Sequence, residues 1–164
     1  MVELRYQEVS DAERYFEILK NTNFEYFDVR VKSVEDEREW LVKNEEKRKK
    51  DQEHNYAIMY QGELVGAVGI AMDPRRPHIC EIGYFLDERH WGKGIATEAV
   101  KQAEKIAFED LGLVRVEIRL EPENKASERV AIKCGYTKDG LIRKNYKRDG
   151  EYRDCLLYAK VKDR

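Results

Sequence analysis

The residues whose types and spacing invite chemistry form one run: Arg89, His90, Trp91, Gly92, Lys93, Gly94, Ile95 and Ala96. Gly92 and Gly94 let the backbone turn tightly and come close to a ligand with no Cβ in the way. An apolar-periodic segment follows at once. The run therefore feeds a helix whose first N–H groups are unpaired and whose dipole is positive at that end. Arg89, His90 and Lys93 add side-chain charge. The chemistry of such a loop is the cradling of phosphate. A Walker loop requires Gly-x-x-x-x-Gly-Lys-Ser/Thr, which is absent, and a dinucleotide fold requires a third glycine where this chain has Thr97. The pyrophosphate of coenzyme A remains, as does a glycine loop that only permits close packing.

The elements that must position this loop are legible on both sides of it. Ile79–Leu86 reads as a strand entering the loop, and the helix leaving it runs from Ile95 to Leu111 on the stripe Ala96, Ala99, Val100, Ala103, Ala107 and Leu111. Next comes a clear alternation: Val114, Val116, Ile118 and Leu120 against Arg115, Glu117 and Arg119. A short helix spans Lys125 to Cys134 and stops at Gly135. Upstream, Leu4–Val9 starts as a strand, and Ser10 with Glu13 forms a capping box for a helix carrying Ala12, Tyr15, Phe16 and Leu19. Ser33 and Asp36 open a second helix with Trp40 and Leu41 inward; its charged tail, Lys43 to Asp51, reads as solvated surface. Tyr56–Tyr60 and Glu63–Ile70 make a hairpin on Gln61-Gly62, and Asp149-Gly150 joins two final strands. No linker or repeat divides the chain, so residues 1–164 are expected to form a single α/β domain with one mixed sheet and helices on its faces.

Composition narrows the functional classes. Of 164 residues, 41% are hydrophobic, enough for one full core, and 31 basic against 33 acidic residues give a formal charge of -2. No global field recruits nucleic acid or an anionic membrane. The longest apolar run, near Leu64–Met72, is too short to span a bilayer, and the first fifteen residues lack the basic and apolar regions of a secretory signal. Cys80, Cys134 and Cys155 form no CxxC pair, and His54 and His78 have no spaced partners. Reduced thiols, no metal and a cytoplasmic location are expected.

A second motif follows the alternating strand: Asn124-Lys125-Ala126-Ser127-Glu128-Arg129-Val130-Ala131-Ile132-Lys133-Cys134-Gly135-Tyr136. Together with Arg89-x-x-Gly92-x-Gly94, the stretch Glu81–Val100, and the run Asp149–Asp154 with Tyr158, it resembles the GNAT superfamily of N-acetyltransferases. The likeness is to the Rim-type branch, which includes ribosomal-protein amino-terminal acetyltransferases and the related spermidine enzymes. The resemblance implies a mostly antiparallel central sheet with one splayed parallel strand pair, helices on both faces, and acetyl-CoA as co-substrate. It implies that the amides of Trp91, Gly92, Lys93, Gly94, Ile95 and Ala96 hold the pyrophosphate, with Arg89 and His90 nearby. It places the pantetheine arm in the splay, against main-chain groups of Phe85, Leu86 and Asp87, and Asn124 near the thiol end of that arm. By spacing alone Asn124 is equally the N-cap of the short helix. Arg129 and Lys133 are read as 3′-phosphate partners or as solvated surface.

The implied reaction is direct attack of a primary amine on the thioester, with the oxyanion met by a strand amide near Leu86. Many relatives carry a tyrosine four residues before the glycine that ends the short helix, as general acid toward the thiolate. Here that position is Ala131. The Rim-type substitute is a serine, so Ser127 is the candidate thiol partner, with a plain capping role as its alternative. The family's base on the penultimate strand falls on Tyr146, and Glu81 is the best remaining carboxylate, either as base or in an ion pair. Cys134 is read as a packing residue rather than a nucleophile, and Asp154 and Tyr158 as structural. Phe24, Tyr26 and Phe27 either wall the acceptor cleft or pack in the core. The acceptor implied is a protein or peptide N-terminal amine. A small amine (polyamine, amino acid or antibiotic) and an idle CoA-binding module stay open, and exposed aromatics in a hairpin are compatible with a homodimer.

Overall fold

The β-branched and aromatic runs pair into one seven-stranded sheet in the order β1-β2-β3-β4-β5-β7-β6. The computed structural model describes residues 1–27 and 32–163. The strands are β1 (Val2–Tyr6), β2 (Glu53–Tyr60), β3 (Glu63–Met72), β4 (Ile79–Leu86), β5 (Arg115–Leu120), β6 (Thr137–Arg148) and β7 (Glu151–Val161). The helices are α1 (Ala12–Asn21), α2 (Val34–Lys49), α3 (Ile95–Lys105) and α4 (Lys125–Lys133). Every neighbouring pair is antiparallel except β4 and β5. That exception positions the site. Ile79, Cys80 and Glu81 pair with Arg115, Val116 and Glu117; beyond Glu81 the two strands share no further pairing, and β4 continues alone beside β3 to Leu86. The sheet is thus split along its middle from Ile82 onward.

Two apolar clusters cover the two faces. On one, Val68, Ile70, Cys80, Ile82, Val116 and Ile118 pack under Ala99, Val100 and Ala103 of α3 and Ala131 and Cys134 of α4. On the other, Ala57, Leu64 and Ala67 meet Ala12, Tyr15 and Ile18 of α1 and Leu41 of α2, with Phe24 and Phe85 at the margin. Each fully buried Ile, Leu or Val contributes about 1.5–3 kcal/mol relative to exposure. The expected single sheet with helices on both faces is therefore what the chain forms.

Local boundaries differ in three places, each for a physical reason. The first strand ends at Tyr6 rather than Val9, because Val9–Asp11 turn into a short 3-10 segment. The capping at that point uses Asp11, not Ser10 with Glu13: the Asp11 carboxylate accepts the Glu8 N–H at 2.8 Å and a two-pronged Arg5 guanidinium at 2.9 and 2.7 Å. A buried acid fixed by an arginine fork outcompetes an exposed serine. Finally, α3 stops at Lys105 and continues as a wider π-helical turn, Ile106–Asp110, closed by Leu111 N–H to Ile106 O at 2.9 Å. The stripe Ala99, Ala103, Ala107 and Leu111 repeats every four residues, so it drifts around a 3.6-residue helix. The wide turn brings Ala107 and Leu111 back onto the core.

Candidate active site

Asp87 starts the loop as the acceptor for the Arg89 N–H at 3.1 Å, opening the single turn Glu88–His90. Gly92 and Gly94 both adopt left-handed backbone, with φ of 75° and 77°. Gly94 is the N-cap of α3 and has no side chain to compete for the first-turn N–H groups. Those amides, at Ile95, Ala96 and Thr97, face a cleft of about 540 Å³ together with His90, Trp91, Gly92 and Gly94. An anion at this point gains hydrogen bonds and the helix dipole together.

The same cleft continues through the split in the sheet. It is walled by Ile82 to Leu86 on β4, Ile118 and Arg119 on β5, and Asn124, Ser127 and Val130 of the β5–α4 segment. Arg129 and Lys133 border it from α4. On the far side it meets Asn23 to Phe27. There the ring of Phe85 is the hub of an aromatic group, with Tyr15, Phe24 and Phe27 at 5.8, 6.0 and 5.7 Å between centroids. Phe24, Tyr26 and Phe27 therefore both wall the cleft and pack. Asp28 to Val31, which follow them, lie outside the described residues.

Main-chain directions sort the residues expected along the arm. Asp87 donates its N–H to Val65 O at 2.8 Å, so it faces β3. Peptide groups alternate along an antiparallel strand; Phe85 therefore faces β3 as well, whereas Leu86 and Tyr84 turn their peptide groups toward the split. The Leu86 carbonyl accepts the Trp91 indole N–H at 2.8 Å. Of the three expected main-chain partners, the structure brings Leu86 to the cleft and gives Asp87 to the scaffold.

The Asp87 carboxylate is likewise occupied. It is buried between Arg89 at 2.6 Å and Arg14 at 3.0 Å, and these charged hydrogen bonds, Arg89 first, lower its pKa to about 2 against the opposing effect of burial. Arg14 also donates to Leu64 O at 2.9 Å, pinning α1 to β3. Arg89 thus turns away from the phosphate cradle, and Lys93 is exposed beside the cleft rather than in its wall.

On the other wall Asn124 does what its spacing predicts: its Oδ1 accepts the Ser127 N–H at 3.2 Å, capping α4. That cap sets Ser127 facing the cleft, where its hydroxyl lies 3.0 Å from the Tyr84 hydroxyl. Ala131 is fully buried, and Cys134 is buried with its thiol against Thr97 O at 3.6 Å and its pKa raised by burial. A packed, protonated thiol is a poor nucleophile.

Glu81 sits on the α1/α2 face of β4 as the last residue paired with β5, just outside the cleft lining that begins at Ile82, and forms no hydrogen bond or salt bridge within 4 Å among the described residues. Its neighbour Glu117 absorbs the nearby cations, taking Arg115 at 2.9 Å and Arg119 at 3.1 Å. Partial desolvation raises the Glu81 carboxyl above the ordinary range; Arg119 opposes this and Glu117 adds to it. Tyr146 is not positioned as a base: burial and the Glu121 carboxylate push its phenol up. Asp154 accepts the Lys144 N–H at 2.9 Å and Tyr158 donates to Glu128 at 2.9 Å, so both hold the last hairpin.

Two features escape a sequence reading. One is Tyr84, which reads as a strand aromatic. The other is the buried pair of Glu121 and Arg148, joined at 2.7 and 2.9 Å. Burial raises the Glu121 pKa, but the Arg148 fork outweighs it and the carboxyl titrates low. Tyr26 lies over Arg148, 5.7 Å from ring centroid to guanidinium, and donates to Glu123 O at 3.3 Å. This fastens the α1–α2 segment to the end of β5.

The glycine cradle, the split parallel pair and the capped Ser127 occur together, and the matching family model decides their meaning. Residues 2–137 match the acetyltransferase (GNAT) domain. This chain belongs to the GNAT acetyltransferase family. It is an acetyl-CoA-dependent N-acetyltransferase. It is 36% identical over 162 residues to a probable N-acetyltransferase, YjcK, of Bacillus subtilis, covering 93% of this chain and 89% of that one. To the ribosomal-protein-serine acetyltransferase of Escherichia coli it is 28% identical, over 81% of this chain and 74% of the relative. Among solved structures, a RimL ribosomal L7/L12 α-N-protein acetyltransferase in complex with coenzyme A superposes with a TM-score of 0.90 at 26% identity, covering 98% and 93% of the two chains. No helix among the described residues is long and apolar enough to cross a membrane.

Proposed function

We propose that this acetyltransferase acts on the N-terminal amine of a protein or peptide. The observation that carries the reading is the single cleft that passes through the split sheet, from the N-terminus of α3 to the aromatic wall at Phe85. One face then holds the acetyl donor and the other admits an extended acceptor. Similarity to proteins named for ribosomal-protein acetylation, in Escherichia coli and, as a putative ribosomal N-acetyltransferase, in Bacillus subtilis, supports this acceptor class.

In this reading the amides of Trp91 to Ala96 bind the pyrophosphate, with His90 beside them and Arg129 and Lys133 at the 3′-phosphate. The Leu86 N–H meets the oxyanion, Asn124 orients the arm, and Ser127 donates to the departing sulfur. An α-amine with pKa near 8 is about one-tenth neutral at pH 7, whereas a lysine amine is neutral in about one molecule in a few thousand. A single carboxylate such as Glu81, acting through water, suffices for the former. A second reading, acetylation of free amino acids, is favoured by 28% identity over 103 residues to an L-amino acid N-acetyltransferase of Escherichia coli. The test is thiol release and product mass with three acceptor sets: peptides with free α-amines, the same peptides blocked at the α-amine but carrying lysine, and free amino acids with spermidine. Acetylation confined to the first set is expected. Turnover only with the third would replace the acceptor assignment by a small-molecule one.

A further inference from the structure

We infer that Tyr84 is a positioning residue for the reaction: its hydroxyl donates to Ser127 Oγ at 3.0 Å and so aims the Ser127 hydroxyl proton into the cleft, at the departing sulfur. The inference rests on the assignment of Ser127 as thiol partner made above. It also supplies what that assignment lacks. A serine hydroxyl alone rotates freely and has two lone pairs and one proton to distribute. Here its own N–H is held by Asn124 at 3.2 Å, which fixes the backbone, and Tyr84 is the only partner of its hydroxyl among the described residues. If Tyr84 donates, one lone pair of Ser127 is filled and the serine proton is left for the cleft. If Tyr84 instead accepted, the serine proton would be spent on the phenol and none would reach the sulfur.

Two observations favour the first direction, and a third bears on the role. Tyr84 sits in the partly buried margin of the α3/α4 core, and among the described residues no carboxylate or backbone acceptor hydrogen-bonds its hydroxyl. Burial pushes its phenol up to about 12, so it stays protonated throughout the range in which the amine reacts. The position four residues before Gly135, where relatives place a tyrosine of their own, is here the fully buried Ala131. A phenol thus still stands at the site, but it comes from β4 rather than α4 and acts through a serine.

The step balances without a full proton transfer from either hydroxyl. The neutral amine nitrogen forms the C–N bond to the acetyl carbon, and the C–S bond breaks with its electron pair going to sulfur. The nitrogen sheds its extra proton to solvent, and the thiolate is later protonated from solvent. Ser127 lowers the cost of the thiolate by a hydrogen bond; Tyr84 keeps that bond aimed. Net worth is that of one hydrogen bond, a factor of about 2 to 12.

The deciding readout, the pKa of bound thiol, needs no acceptor. Coenzyme A is bound to the wild type, Tyr84→Phe, Ser127→Ala and the double variant, and the thiolate absorbance is followed against pH, with binding affinity measured in parallel. Wild-type protein is expected to hold the bound thiol below the pKa of each single variant, by about half to one pH unit, with the double variant no higher than Ser127→Ala alone. Thioester turnover should fall about 3- to 10-fold in Tyr84→Phe with KM for acetyl-CoA unchanged. If Ser127→Ala raises the thiol pKa and Tyr84→Phe does not, Tyr84 only packs and the inference is overturned while the role of Ser127 stands. If neither variant moves it, the role of Ser127 falls and the inference with it. Additive effects in the double variant overturn the coupling, because two residues acting through one hydroxyl cannot add.

Discussion

On the β4–α3 wall of the cleft, the groups that face a ligand are main-chain: the amides of a glycine turn, the first turn of a helix, and the peptide of Leu86. On the β5–α4 wall they are side chains fixed by distant partners: Asn124 and Ser127 at the start of α4, with Tyr84 reaching Ser127 from β4, while Glu121, just past β5, pairs with Arg148 of β6. The first wall is built by a contiguous run of residues and depends on backbone shape. The second depends on charge and hydrogen-bond pairing between residues as far as 43 positions apart. The difference teaches how the two tasks are divided. In the proposed function, holding a pyrophosphate common to every turnover needs no side-chain specificity, whereas stabilising a leaving group and an acceptor does.

The contrast can be broken most severely at Arg148. Arg148→Ala leaves the Glu121 carboxylate buried without its fork, and we expect a loss of about 3 kcal/mol of stability in a urea titration. Acetyl-CoA binding by whatever remains folded should be little changed, since the main-chain wall is untouched; a large loss of affinity would show that the walls are not separate. Gly94→Val attacks the other wall. A β-branched residue at φ 77° costs about 2 kcal/mol, so acetyl-CoA affinity by calorimetry should drop about 10- to 30-fold with modest change in melting temperature. An affinity within twofold of wild type would mean that the cradle does not need the left-handed turn.

Acid titration sharpens the same division. Asp87 has a folded pKa lowered to about 2 from the ordinary 3.8, so its contribution is present above pH 4 and lost as pH falls from 4 toward 2. After allowance for the exposed Arg89, that contribution is about 1–2 kcal/mol. Asp87→Asn should remove this part of the pH dependence; an unchanged acid transition would place the stabilising carboxylate elsewhere. Asn124→Ala removes a helix cap and should cost about 1 kcal/mol of stability, while lowering kcat more than acetyl-CoA affinity. Loss of affinity alone would move Asn124 away from the reacting end. Lys93→Ala, on an exposed side chain next to the cradle, should change acetyl-CoA affinity by less than about threefold.

What the sequence determined by itself is the local part of the molecule. The glycine spacing at Gly92 and Gly94, the start and first three turns of α3, the alternation from Val116 to Leu120 and the Asn124 cap each depend on neighbours within a few residues, and each appears where the pattern puts it. Even the misplaced cap near Ser10 is informative: a long-range fold was not needed to overturn it, only Arg5 six positions away. Tertiary structure alone decided the rest. Which peptide groups of β4 face the split follows from its pairing with β3, and this separates Leu86 from Asp87 although they are adjacent in the chain. Arg14, which shares the Asp87 carboxylate with Arg89, comes from α1, 73 positions away, and no spacing rule contains that contact. The meeting of Tyr84 with Ser127, and of Glu121 with Arg148, requires strands and helices to be packed first. Local patterns fix backbone conformation because their energies are local; the partner of a buried polar side chain is fixed only when the fold excludes water and leaves that group one place to pair.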